Sequence, residues 1–167
     1  MGKYLLLAAF LALFAGWLYW KNSYGAIGRV AKLEGSTAGY IAFIRTDDSG
    51  ASNLYIVKSD GTDLKALTSD DTPKRTPCWS PDGTRVCYAQ ESRTEGSASY
   101  QLFVLGKGSP KQATYGSLSK DMPQWRPDGR QIAFLTGGAI KVVSPNGADL
   151  EQVYPRPSKG NAPDNEG

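Results

Sequence analysis

Pro77-Cys78-Trp79-Ser80-Pro81-Asp82-Gly83-Thr84-Arg85-Val86-Cys87-Tyr88 and Pro123-Gln124-Trp125-Arg126-Pro127-Asp128-Gly129-Arg130-Gln131-Ile132-Ala133-Phe134 are one motif written twice, 46 residues apart. Trp79, Pro81, Asp82 and Gly83 recur as Trp125, Pro127, Asp128 and Gly129. In each copy proline presets φ, the aspartate side chain bonds the turn backbone, and glycine tolerates positive φ. The segment therefore joins two antiparallel strands tightly. Alternation in Val86-x-Tyr88 and Ile132-x-Phe134 turns two apolar side chains to one face, as a sheet packed between other sheets requires.

Working outward, a third copy keeps the second strand: Tyr40-Ile41-Ala42-Phe43-Ile44 places Ile41 and Phe43 45 residues before Val86 and Tyr88. A further apolar strand follows in every copy, at Leu54–Val57, Leu102–Leu105 and Ile140–Val143. Turns at Ser59-Asp60-Gly61-Thr62 and Pro145-Asn146-Gly147-Ala148 lead to short strands at 64–68 and 150–154. Four strands per repeat is the content of one propeller blade. The spacing predicts blades over 41–76, 77–122 and 123–154, with Trp79, Trp125, Phe43, Tyr88, Phe134, Ile41, Val86 and Ile132 buried. In the second copy Gly106-Lys107-Gly108-Ser109-Pro110 replaces the Asp-Gly turn, which predicts a shorter blade edge.

The motif, followed by Ile-Ala-Phe, an apolar strand, Asp-Gly and Leu-Thr, resembles the TolB-like (WD40-like, PD40-type) β-propeller repeat over residues 40–154. That repeat occurs in bacterial envelope proteins and in the propellers of some serine peptidases. The resemblance implies an all-β fold, an incomplete propeller of about three four-stranded antiparallel blades, with protein partners and a domain exported to the periplasm. Propellers close with about four to eight blades, so two blades and a portion are not expected to close a ring alone. A partner or another copy of the chain is expected on the open face; a truncated product, or capping by terminal segments, is the plainer alternative.

Residues 4–20 form an uncharged run of 17 residues between Lys3 and Lys21, carrying Leu5, Phe10, Phe14, Trp17, Tyr19 and Trp20. As a helix it would reach about 25 Å against a hydrocarbon core of about 30 Å, enough to span when the flanking lysines snorkel. The bulky aromatics at its end read as an interfacial belt rather than a cleavage site. Residues 1–21 are thus expected to be a single transmembrane anchor in a bacterial inner membrane, with a cleaved signal peptide as the alternative. Ala8, Ala9, Ala12, Ala15 and Gly16 would let other helices approach closely. Residues 22–39 read as a flexible linker and 155–167 as a polar tail. Three cations soon after the run favour a cytoplasmic domain by charge, whereas the resemblance favours the periplasm.

Of the 19 cations, four lie in residues 1–32, which hold no acid; the remainder is near neutral, so no nucleic-acid face is expected. The chain contains no histidine, which excludes Ser/His/Asp and Cys/His catalysis and histidine metal sites. Ser117-Leu118-Ser119-Lys120 matches a Ser-x-x-Lys pattern without the companion motifs of penicillin-recognising enzymes and is expected in an interblade loop. Asp47-Asp48 and Asp70-Asp71 lack the ligand spacing of a calcium loop. Cys78 and Cys87 flank the first Pro-Asp-Gly turn; free thiols are expected, with a strained cross-strand disulfide as the alternative. No catalytic residue, metal or cofactor is expected. The leading expectation is a non-enzymatic accessory subunit that positions other subunits of a membrane complex, partnered by those subunits, by copies of itself and by the bilayer. The alternatives are a TolB-like protein-binding module and the remnant of a peptidase-associated propeller.

Overall fold

Eleven strands run through residues 39–94 and 96–156, the part of the chain that the computed structural model describes. The predicted anchor, including Leu5, Phe10, Phe14, Trp17, Tyr19 and Trp20, lies outside the described residues, as do most of the predicted linker and tail. Among the described residues no helix is long and apolar enough to cross a membrane.

The strands build three antiparallel sheets in chain order. The first holds β1 (Tyr40–Thr46), β2 (Ser52–Lys58) and β3 (Lys65–Ala66). The second holds β4 (Lys74–Trp79), β5 (Val86–Thr94), β6 (Ser97–Leu105) and β7 (Lys111–Gln112). The third holds β8 (Asp121–Trp125), β9 (Ile132–Thr136), β10 (Ala139–Val143) and β11 (Glu151–Tyr154). The first sheet thus has three strands among the described residues, not four.

Each Pro-Asp-Gly turn closes as its residues dictate. Gly83 (φ 64°) donates to the Ser80 carbonyl and Gly129 (φ 70°) to the Arg126 carbonyl, both at 2.9 Å, in a conformation that glycine adopts without steric cost. Asp82 and Asp128 accept from the amides of Thr84 and Arg130, two residues on. This fixes Trp79 opposite Val86 and Trp125 opposite Ile132. Cys78 falls opposite Cys87, and both are free thiols.

The inner strands begin before the repeated motif, at Lys74 and Asp121. Each carries a bulge at a positive φ, 48° at Thr76 and 49° at Met122, immediately before a proline that has no N–H to give the ladder. The sheets are tied near these bulges: Arg75 pairs with Asp121 at 3.0 Å and stacks over Tyr100, and the Thr76 hydroxyl reaches the same carboxylate.

Two apolar cores alternate with the sheets. Between the first and second lie Leu54, Ile56, Leu67, Val86, Tyr88 and Leu105, with Tyr40, Ala42 and Ile44 against them. Between the second and third lie Cys87, Ala89, Leu102, Val104, Ile132, Phe134 and Val143. Four of the residues predicted to be buried, Tyr88, Phe134, Val86 and Ile132, are fully so. Trp79, Trp125 and Phe43 are half-buried, and Ile41 is 53% exposed. Strand alternation explains the correction: Tyr40, Ala42 and Ile44 face the second sheet, so Ile41 and Phe43 point to the other side of the first, which no described sheet covers.

Candidate functional site: a buttressed crossover loop

Two crossovers carry the chain from the outer strand of one sheet to the inner strand of the next, at the end of β4 and β8 remote from the Pro-Asp-Gly turns. The first runs through Leu67-Thr68-Ser69-Asp70-Asp71-Thr72-Pro73, the second through Ala113-Thr114-Tyr115-Gly116-Ser117-Leu118-Ser119-Lys120.

The second is held from beneath by polar side chains that are nearly all buried. Gln101, 1% exposed, donates to the carbonyls of Gly116 (2.7 Å) and Leu118 (3.3 Å) and to the Ser99 hydroxyl, while its own oxygen accepts from Thr114. Thr114 accepts from the Leu102 amide, Ser99 donates to Gly116, and the Ser119 hydroxyl accepts from the Tyr100 amide. Lys120, also buried, donates its amide to Tyr100 and its ammonium to the Leu118 carbonyl. Burial, and secondarily Lys141, hold that ammonium below the usual lysine range.

With its backbone fixed inward, the segment turns apolar side chains out, Tyr115 70% exposed and Leu118 58%, and Met122, 60% exposed, follows at the start of β8. Leu118 lies against Gly137 of the β9–β10 turn, so two sheets contribute to the surface. A loop braced in this way loses little conformational entropy on docking, and of the three side chains tyrosine and methionine are types enriched at protein interfaces.

Most of the residues singled out in the sequence lie elsewhere. Trp79, Pro81, Asp82 and Gly83, and Trp125, Pro127, Asp128 and Gly129, form the opposite end of the inner strands. Hydrogen bonds from the Ser80 hydroxyl and the Thr84 amide lower the Asp82 carboxyl to about 2. Trp125 is pinned between the Arg85 guanidinium, 4.6 Å from its ring, and the Cys78 carbonyl that its indole N–H reaches at 3.3 Å. Burial pushes the Cys87 thiol up, and its hydrogen bond to Cys78 lowers that thiol. Ser117-Leu118-Ser119-Lys120 falls within the second crossover, where Ser119 and Lys120 brace backbone. Asp47 caps its own turn through Ser49 and Ala51, and Asp70 is paired with Lys74. Sequence reasoning missed Gln101, Thr114, Tyr115 and Met122; the signal it held was a glutamine inside the apolar run Tyr100–Leu105.

Four-stranded antiparallel sheets stacked face to face, each entered by its inner strand, are β-propeller blades. The blades are similar to those of TolB-like propellers. Over 75 residues, 41% of this chain, the sequence is 32% identical to a TolB homolog of Protochlamydia amoebophila, of which that stretch is 16%. Over 104 residues it is 28% identical to the uncharacterized peptidase YuxL of Bacillus subtilis, covering 58% of this chain and 15% of that protein. The fold superposes on a TolB structure from Agrobacterium tumefaciens with a TM-score of 0.58 at 23% identity, over 69% of this chain and 42% of that one. This chain spans under a fifth of the length of the curated relatives it matches. No family model matches it.

Proposed function

We propose that this chain is a protein-binding module of the bacterial cell envelope, non-enzymatic, with residues 1–21 holding it at the inner membrane and its blades in the periplasm. Tyr115, Leu118 and Met122 are its docking contacts. The observation that carries the reading is the second crossover, where Tyr115 and Leu118 stand in water on a backbone tied to buried side chains, with exposed Met122 two residues past its end in β8. The TolB-like kinship supports binding of proteins in general; the anchor extends it to a subunit that positions neighbours in a membrane complex.

The test is a photo-crosslinking amino acid placed in living cells at Leu118, with Leu150, equally exposed on another edge, as control. A discrete adduct from position 118 and none from 150 is the expected result, and Leu118→Asp should abolish co-purification of the same protein while leaving the melting temperature within a degree or two. Equal adducts at both positions, or none at 118, would defeat the reading. Protease digestion of spheroplasts tests sidedness: a fully protected domain reverses the periplasmic assignment. The likeness to a peptidase keeps a propeller that serves a catalytic domain as the second reading. Its mark is labelling of a co-purifying protein by a serine-directed fluorophosphonate.

A further inference from the structure

The two crossovers close on the same kind of side chain and satisfy it differently. Lys74 and Lys120 stand 46 residues apart, and both are almost wholly buried, 4% and 6% exposed. Each ammonium donates to the carbonyl two residues before it, Lys74 to Thr72 at 2.7 Å and Lys120 to Leu118. Lys74 also donates to the Ser52 carbonyl at 3.5 Å and to the Asp70 carboxylate at 2.6 Å. Among the described residues Lys120 makes no further hydrogen bond and no ion pair, which leaves two of its three donors, and its charge, unmatched.

The group that Lys74 has and Lys120 lacks is the acid. Residue 116, 46 positions after Asp70, is glycine. Its φ of 109° is one that an L side chain enters only under strain, so the path of the loop keeps an acid from being supplied at that position. Apart from its chain neighbours, a Cβ built on Gly116 would meet one heavy atom within 4 Å, the Lys120 ammonium nitrogen at 4.0 Å. Residues 113–120 hold no carboxylate, and the next acid, Asp121, is bound to Arg75, the Thr76 hydroxyl and the Met122 amide. Lys141 adds a second positive charge that acts on the same ammonium. In the first crossover the Asp70 side chain is half in water above a lysine that is not. Gly116 is likewise exposed, so a group arriving from solvent can reach the ammonium past it.

We propose that the second crossover takes its acid from the protein it binds: an aspartate or glutamate side chain of the partner pairs with Lys120 beside Gly116, flanked by apolar side chains that meet Tyr115 and Leu118. This rests on the docking role of the loop and names the chemistry of what docks there. The occupant follows from charge complementarity and from the repeat itself, since Lys74 shows what an ammonium in this place pairs with. It also gives the surface a means of selection. A partner without the acid would cover a charged, half-satisfied ammonium with apolar groups and leave it no counter-ion, whereas one that brings the acid completes its bonding.

The test follows the photo-crosslinked adduct at Leu118 in living cells. Lys120→Met keeps most of the side-chain volume and removes the charge. It is expected to leave the melting temperature level and to cut the adduct yield at least tenfold. The acid itself is sought in the wild-type complex by zero-length carbodiimide coupling, which joins an amine and a carboxylate in contact as an amide. Mass spectrometry should find Lys120 linked to an aspartate or glutamate of the other protein. Replacing that acid by alanine should also weaken binding at least tenfold, and the double change should weaken it no more than either alone. An adduct that survives Lys120→Met undiminished overturns the carboxylate and leaves the docking loop standing, whereas no adduct from the wild-type chain overturns both. Coupling of Lys120 to Asp164 or Glu166 of this chain would mean that its own tail supplies the acid, and overturns the proposal. So does a complex in which Lys120 is linked to no carboxylate of the partner, or in which the two single losses add in full.

Discussion

The crossover from the first blade to the second and that from the second to the third follow one course and present opposite chemistry to water. In both, a threonine hydroxyl accepts the amide of a buried leucine, Leu54 to Thr68 at 2.9 Å and Leu102 to Thr114 at 2.8 Å, and a side-chain amide beside that leucine completes the tie, Asn53 in the first and Gln101 in the second. In both, a buried lysine closes the segment, Lys74 and Lys120. The first loop then shows solvent Ser69, Asp70 and Asp71, while the second shows Tyr115, Ser117 and Leu118. At the position of Asp70, whose carboxylate meets Lys74 at 2.6 Å, the second loop has Gly116, whose carbonyl accepts from Gln101 and Ser99. The blade repeat thus sets the path of the loop, and the outward side chains are left to be chosen for contact with other molecules. An acidic loop over water needs no partner; an apolar one on the same frame does.

The sharpest way to break this comparison is to cut each frame at its amide. Gln101→Ala removes a fully buried side chain, takes one of two donors from each of the Gly116 and Leu118 carbonyls and leaves the Thr114 hydroxyl without its acceptor, and should cost about 3 kcal/mol. Asn53→Ala removes bonds from a half-buried site that water can reach, and should cost about 1 kcal/mol. Urea denaturation of both variants checks the order. Equal losses would show that the second loop is no more firmly held than the first, and would remove the case for a preorganised docking surface.

How much of this was legible beforehand follows from how local each cause is. The pairing of Trp79 with Val86 and of Trp125 with Ile132 is set by a turn whose chemistry sits in the same few residues, so the motif predicts it. Which face Ile41 takes is equally local, but whether anything covers that face depends on a neighbouring sheet, and the alignment with Val86 carries no information about that. The crossover frame was half visible: Thr68 and Thr114, and Lys74 and Lys120, keep the 46-residue offset. Asn53 and Gln101 are 48 apart because the strands of the β5–β6 hairpin are nine residues long against seven in β1 and β2, and this shift hides their equivalence.

A smaller effect separates the two lysines. Lys74→Met deprives the Asp70 carboxylate of its partner and should destabilise by about 1 to 2 kcal/mol. Lys120→Met strands no carboxylate, since its ammonium is bonded to a backbone carbonyl, and it relieves the cost of a buried charge. Stability should stay level or rise by up to about 1 kcal/mol. Thermal melting of the pair reads the difference in sign, and a loss at Lys120 as large as that at Lys74 would mean that its ammonium contributes more to the loop than its one carbonyl contact implies.

The least of the expected effects is the pH dependence that these groups impart, and its sign differs between the loops. Partial burial acts to raise the Asp70 carboxyl, but the hydrogen bonds from Lys74 and Thr72 outweigh it and hold the group below its ordinary value of 3.8. A carboxyl lowered in the folded state contributes stability that is complete above the unfolded value and is lost as pH falls through the folded one. Asp70→Asn should therefore flatten the acid limb of the stability curve below about pH 4, by an amount kept small because half of that side chain is in water. Lys120 acts at the other end of the scale. Its ammonium is lowered from 10.5 by burial, so the folded state gives up the proton before the unfolded chain does. Between the two values the unfolded chain holds more protons, and stability must rise with pH across that window. Wild-type protein should gain stability as pH approaches 10.5 and the buried Lys120 ammonium loses its charge, and Lys120→Met should lack that gain while Asp70→Asn retains it. Melting curves at pH 3 to 4 and at pH 8 to 10.5 separate the two contributions, since each variant is expected to alter one limb and leave the other as it was.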